Sequence, residues 1–346
     1  MCLTGAVALS SGAAFAQSVT LTGETGFDSS MVQVSLTSPR FTDEVEKRTN
    51  GRVTVRWSFG GALVGPTEIG DALMNGVIDI AALPPGMTPG VFPLNAPLPL
   101  FDLNISTDLG QGALNYIYQT LSDEFPEIEG EFTARGVKRL AFYPAGEYYL
   151  AMRKPIETLA DMKGLKVRAP AEPSLNLLNS SGATVIDTPY TEVYTSLQSG
   201  LIDGVYTTGD SITGAKMYEV APYVYRINAG PILPSSTLAI SLKAWSEISA
   251  EDQAIIMEVS RDSLKWTGEM LDAREAEIRK IWQETAGVHY AEFPAAARAE
   301  WAANSPDFLG NLAKKLDEAG MPGTPIADRI KELVAGYNSG ELKMPE

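Results

Sequence analysis

The chain has 346 residues, a formal net charge of −16, one cysteine and one histidine. That length is large for one hydrophobic core and comfortable for two domains. The acidic balance, without clusters of Lys and Arg, excludes a nucleic-acid binder, but it leaves an anionic ligand open, because one buried arginine decides the field of a site.

Cys2 to Ala16 is small and apolar and ends in Ala14-Phe15-Ala16, the A-x-A pattern of signal peptidase cleavage. No Lys or Arg precedes Arg40, so residues 1–16 are expected to be an export signal whose basic start is truncated by a late start codon. The alternative is a cytosolic protein with a disordered small-residue tail. The run is too short to span a membrane, and no later segment is long and apolar enough. Removing it leaves a mature chain without cysteine, hence no disulfide, thiol nucleophile or thiolate metal site. The expectation is a soluble periplasmic protein.

Val19 to Gly23 reads as a first strand, followed by a polar loop. Ser38 to Arg48 is helical, with Phe41 and Val45 on one face, and Gly51 ends it. Val53 to Trp57 alternates as a second strand. After a glycine-rich loop over Gly60 to Pro66, Thr67 can cap a helix to Met74, and Val77 to Leu83 makes a third strand. This βαβ order favours a parallel sheet covered by helices.

Asp161 to Pro170, D-M-K-G-L-K-V-R-A-P, reads as a turn at Gly164 and a strand over Leu165 to Val167 that Pro170 stops. Arg168 is left at the carboxyl end of a buried strand, the edge that faces the ligand crevice in open α/β sheets. Its planar fork of donors suits a carboxylate, although a surface ion pair would satisfy it equally. The pattern Thr67-Glu68 … Asn75-Gly76-Val77-Ile78-Asp79 then recurs 124 residues later as Thr191-Glu192 … Ser199-Gly200-Leu201-Ile202-Asp203. Upstream, Gly51 to Val55 is matched with Gly164 to Arg168. A period this long implies two similar α/β domains with a crevice between them. Ser249 to Ala286 fits one long helix capped by Ser249, enough to brace both domains, unless it breaks near Gly268. Helices near Ala295 to Ala319 and Ile326 to Tyr337 finish the chain.

Phe41 to Arg52 (F-T-D-E-V-E-K-R-T-N-G-R), Pro155 to Pro170 (P-I-E-T-L-A-D-M-K-G-L-K-V-R-A-P) and Thr191 to Gly204 (T-E-V-Y-T-S-L-Q-S-G-L-I-D-G) together resemble the solute-binding proteins of tripartite ATP-independent periplasmic (TRAP) transporters. The resemblance runs from about Phe41 to Trp282. It implies an α/β, type II-like two-domain periplasmic binding protein fold, each domain a mixed, mainly parallel sheet flanked by helices, with a long helix spanning both. The expected boundaries are 17–145 with 234–272, and 146–233 with 273–346. It also implies a receptor that binds a small organic anion and passes it to TRAP membrane subunits.

In that family the arginine ending the K-G-L-K-V-R strand clamps the ligand carboxylate, which maps onto Arg168. Many members carry Gly-x-Arg where this chain has Gly146-Glu147-Tyr148, so Tyr148 replaces a second arginine. The family asparagine beyond Asp-Gly falls at Thr207 or Thr208, and its aromatic contact at Tyr190. The expected ligand-binding set is therefore Arg168, Tyr148, Tyr190, Thr207, Thr208 and Glu147, suited to a monocarboxylate with an apolar or aromatic body. The opposite lip is assigned to Thr25–Ser38, Leu83–Met87 and Pro234–Thr237.

Other chemistries fit less well. Gly209-Asp210-Ser211 resembles a lipase signature, but His289 lacks the aspartate such a serine needs. It reads as a loop at a strand end. Asp102 to Ser106 begins like a calcium loop, yet Thr107 stands where glycine is required. Glu275 with Glu277, and Asp43 with Glu46, read as solvated charge. The expectation is a monomeric receptor without cofactor or metal; the alternatives are a carboxylate-based hydrolase, or a receptor for a sulfonate or dicarboxylate.

Overall fold

The computed structural model describes residues 18–26, 32–65, 67–87, 90–95, 102–105, 109–170, 172–186, 188–229 and 236–343. The export signal over 1–16, and with it Cys2, lies outside them, as do residues 27–31 of the expected 25–38 lip and residues 230–235. In chain order the elements are β1 (Val19–Thr25), α1 (Val32–Arg48), β2 (Val53–Phe59), α2 (Ile69–Met74), β3 (Ile80–Leu83), α3 (Gln111–Glu124), α4 (Pro126–Thr133), β4 (Val137–Tyr143), β5 (Tyr148–Met152) and β6 (Lys166–Arg168). They continue with α5 (Glu172–Ser180), β7 (Thr184–Ile186), α6 (Val193–Ser199), β8 (Gly204–Thr208), α7 (Gly209–Gly214), β9 (Tyr223–Arg226) and β10 (Ser236–Ser241). The last are α8 (Leu242–Glu247), α9 (Ala250–Glu284), β11 (His289–Glu292), α10 (Ala295–Asn304), α11 (Phe308–Glu318) and α12 (Gly323–Ser339).

The strands form two mixed sheets, ordered β2-β1-β3-β10-β4 and β7-β6-β8-β5-β9-β11. In the first only β10 runs against the others; in the second only β5 does. The orders superimpose, so β1 answers to β6, β2 to β7 and β3 to β8. This corrects one expectation: the strand after Gly51 corresponds to β7, after Gly182, while the strand carrying Arg168 corresponds to β1. Helix, glycine and strand follow one another before β2 and β3 and again before β7 and β8, and only sheet order tells the copies apart.

Several boundaries also shift. Ser38-Pro39 looks like a helix start, yet α1 begins at Val32 and keeps Pro39 inside. Thr67 does not cap α2, whose N-cap is Glu68 without a side-chain bond. Val77 is 67% exposed in the turn before β3 and belongs to no strand. The strand at Leu165–Val167 is displaced by one residue, so that Arg168 is its last member.

The continuous reading of α9 holds. Ser249 accepts from Asp252 N at 3.1 Å, and Glu251 and Asp252 place negative charge in the first turn. Its 35 residues rise about 52 Å at ~1.5 Å each. Gly268 does not break it; a Cβ there would fall on the backbone of Gly112, so this glycine permits the close approach of α3. Toward its N-terminus α9 packs on the first sheet, and Asp272 accepts from Gln111 N at 2.8 Å at the start of α3. From Arg274, bonded to Asp210 of α7 at 2.8 Å, it packs on the second.

The C-terminal helices depart from expectation. The segment 295–319 is two helices, because Pro306 follows the first and Asp307 caps the second by accepting from Gly310 N at 2.8 Å. While α10 seals the second sheet through Trp301, α11 and α12 bury Leu309, Leu316, Ile326 and Ile330 against Leu114, Ile117 and Phe142 of the first unit. Among the described residues the apolar faces of α11 and α12 pack on α3 and its neighbours, whereas the sequence reading places all of 273–346 with the second unit.

Candidate ligand-binding site

Arg168 sits where the local sequence puts it. Asp161 accepts the amides of Glu157 and Thr158 at 3.0 and 2.8 Å, bonds that hold its carboxyl below the usual range. Gly164 has φ +76°, outside the comfort of residues with a side chain, and turns the chain into β6. Lys166 then fixes the strand by exchanging backbone and side-chain bonds with Asp203. Arg168 is 8% exposed, between β7 and β8, and its Nε donates to Thr188 O at 3.1 Å. That bond orients the guanidinium at the carboxyl edge of the strand.

Tyr148 opens β5 opposite Thr208, and its ring lies 5.4 Å from that of Tyr206. Burial pushes its phenol up to about 12, with the Arg168 guanidinium acting in the opposite direction. Tyr190, 38% exposed at the entry to α6, is raised too, mainly by burial; its hydroxyl lies 3.5 Å from Ser211 O, and Arg168 again offsets the rise. Both tyrosines are thus within electrostatic reach of the same arginine. Thr207 and Thr208 are buried on β8, the strand beside β6. Strand alternation puts Thr207 on the face of Arg168 and Thr208 on the face of Tyr148 and Tyr206.

Thr208 and Glu147, two of the six expected residues, are held by partners other than Arg168. Thr208 caps α7, accepting from Ser211 N at 3.3 Å and bonding the Ser211 hydroxyl at 2.9 Å. Glu147 turns toward α9: it pairs with Arg226, with Arg279 at 3.2 Å, and accepts from the Tyr149 hydroxyl at 3.0 Å. Glu275 completes this cluster, accepting from Glu147 N at 2.8 Å and from Tyr149 at 3.0 Å. Glu275 is 6% exposed, which corrects the reading of Glu275 and Glu277 as solvated charge; only Glu277, paired with Arg274, is at the surface. Burial first, and Glu147 next among the raising influences, pushes the Glu275 carboxyl up to about 7.

The cluster lies on the connections between the units. Residues 144–147 carry the chain from β4 to β5, 227–229 lead out of β9 toward β10, and α9 is the third link. Glu275 holds the first connection, while Arg298 holds the second by donating to Ile227 O and Asn228 O, both at 2.8 Å.

Gly209-Asp210-Ser211 forms the first turn of α7 and not a loop. His289 stacks on Tyr223, its ring 4.8 Å away, in β11. Among the described residues no group of three or more His, Cys, Asp or Glu could hold a metal ion, and no helix is long and apolar enough to cross a membrane.

Residues 29–315 match the profile described as bacterial extracellular solute-binding protein, family 7. The chain belongs to that family. Its members are solute-binding receptors of TRAP transport, not enzymes. A solute-binding protein of Roseobacter denitrificans is 26% identical to this receptor over 318 residues, 91% of this chain and 93% of the relative. Among solved structures, a marine-metagenome TRAP solute-binding protein specific for aromatic acids, holding 3-hydroxybenzoate, aligns with TM-score 0.80 at 21% identity, covering 93% of this chain and 99% of the other. A Bordetella pertussis extracytoplasmic solute receptor binding pyroglutamic acid aligns with TM-score 0.74 at 17% identity, covering 91% and 100%. These likenesses establish the two-sheet fold of this TRAP receptor.

Proposed function

We propose that this receptor works in the periplasm as a monomer. It binds a small organic acid between its two units, with the ligand carboxylate on Arg168, and delivers it to TRAP membrane subunits. The observation that carries the reading is a buried arginine at the carboxyl end of β6, oriented by Thr188 O and flanked by Tyr148 and Tyr190. A guanidinium held by Nε keeps its orientation, so a carboxylate can meet a fixed fork of donors. The tyrosine rings and Thr207 suit a monocarboxylate with an apolar or aromatic body. The aromatic-acid and pyroglutamate ligands of the two structural neighbours support that class.

Closure follows as a population shift: a ligand held by residues of both sheets favours the closed form by the contacts made only there. The three connections, gathered by Glu275, Glu147 and Arg298, form the hinge. Thermal melting against a panel of carboxylates, dicarboxylates and sulfonates tests the reading. One ligand class is expected to raise Tm in proportion to ln(1 + [L]/Kd); no shift with any acid refutes the receptor assignment.

A further inference from the structure

We propose that Glu24 is a second ligand anchor, the counterpart of Arg168 in the first sheet, and that the preferred ligand carries a hydrogen-bond donor besides its carboxylate. The inference rests on the receptor reading above and narrows the ligand class to amino, lactam or hydroxy acids. The register carries it. Glu24 pairs with Ala81 of β3, and Arg168 pairs with Val205 of β8. Ala81 and Val205 are related by the same 124-residue repeat that relates Asp79 to Asp203. Glu24 and Arg168 thus occupy one position in two copies of one sheet, each near the carboxyl end of the strand that borders the crevice.

They are also anchored alike. Arg168 donates from Nε to Thr188 O, in the loop after β7, and Glu24 accepts at Oε2 from Leu63 N, 2.9 Å away in the loop after β2. Glu24 has 0% exposure, and its Oε1 has no hydrogen-bond partner among the described residues. A buried carboxylate oxygen without a donor is costly to maintain, so such atoms in native proteins have a partner or await one. The position and opposite charge of Glu24 fit a ligand whose carboxylate meets Arg168 while an ammonium, lactam N–H or hydroxyl donates to Glu24. An acid without a donor would leave that oxygen unsatisfied in the closed crevice, and sites built for a donor reject such analogues strongly.

Titration calorimetry on matched pairs differing by one donor tests this: mandelate against phenylacetate, 3-hydroxybenzoate against benzoate, and pyroglutamate against 3-oxocyclopentanecarboxylate. For the pair nearest the natural ligand, the donor-bearing acid is expected to bind about tenfold or more tightly. Glu24→Gln keeps shape and an acceptor but loses the charge, and is expected to shrink that ratio several-fold. Equal affinities within every pair, or a Glu24→Gln loss shared equally by both members, would overturn the inference while leaving the receptor assignment standing. If no acid binds at all, the receptor assignment falls and the inference with it. The wild-type pairs decide the matter even if the variant fails to fold, and melting without ligand reports whether it does.

Discussion

Asp79 and Asp203, 124 residues apart, perform the same task in the two sheets. Asp79 accepts the amide of Thr22 on its carboxylate at 2.8 Å and donates its own amide to Thr22 O at 2.9 Å. Asp203 does so with Lys166, at 2.9 and 2.7 Å. Each aspartate pins the strand two residues before the position of Glu24 or Arg168. Alanine at either site is expected to cost about 1 kcal/mol, the worth of one partly solvated hydrogen bond. Asparagine, which keeps an acceptor, should recover most of it. Denaturant midpoints of the four variants measure this, and an alanine variant as stable as wild type would show the carboxylate bond to be idle.

The repeat, the α9 brace and the strand ending in Arg168 were legible because each rests on local signals: a glycine at a fixed offset, a serine cap, a proline stop. The correspondence of strands was not legible, since Gly51 and Gly164 both introduce strands and only hydrogen-bonded neighbours reveal which match. Nor was the burial of Glu275, set by Tyr149, which lies 126 residues away in the chain. Glu24 is not legible because V-T-L-T-G reads as a strand that stops at Gly23, whereas β1 continues to Thr25. The division between α10 and α11 had its signal in Ser305-Pro306-Asp307, a helix stop followed by a cap.

Two helical glycines should respond oppositely to alanine. A Cβ on Gly268 would meet the Cα of Gly112 and lie 2.8 Å from its amide nitrogen, so the backbones of α3 and α9 would have to separate. Such overpacking is expected to destabilise by about 1–3 kcal/mol or more. Gly130, exposed on α4, has open space around its position, and Gly130→Ala should stabilise by about 0.5–1 kcal/mol. Parallel urea titrations check both signs; a neutral Gly268→Ala would mean that the helices part without cost.

Arg168→Lys separates the charge of the proposed clamp from its shape. Lysine retains a cation but has no Nε–H for Thr188 O and no planar pair of donors for a carboxylate. Affinity for the acid found in the melting screen is expected to fall about ten- to a hundredfold, in line with ~1.5–3 kcal/mol for a charged hydrogen bond. An affinity within about threefold of wild type, well under the ~1.4 kcal/mol that a tenfold change represents, would reject a two-bond clamp.

Glu275 should give the hinge a signature in pH. Its folded-state value near 7 lies above the ordinary 4.5, raised by burial and then by Glu147, while the Glu147 amide, the Tyr149 hydroxyl and Arg279 act to lower it. Between those values the native chain holds a proton that the unfolded chain has released. Stability is therefore fully present below about pH 4.5 and is lost as pH rises through about 7, with a slope of at most ~1.4 kcal/mol per pH unit for one proton. Glu275→Gln keeps an acceptor for the Glu147 amide and cannot titrate. The difference in unfolding free energy between variant and wild type is expected to change across pH 5–7 and to be flat above pH 8. A difference constant from pH 5 to 8 would show that Glu275 ionises as an ordinary surface carboxylate, and that its place between Glu147 and Tyr149 leaves its proton affinity unchanged.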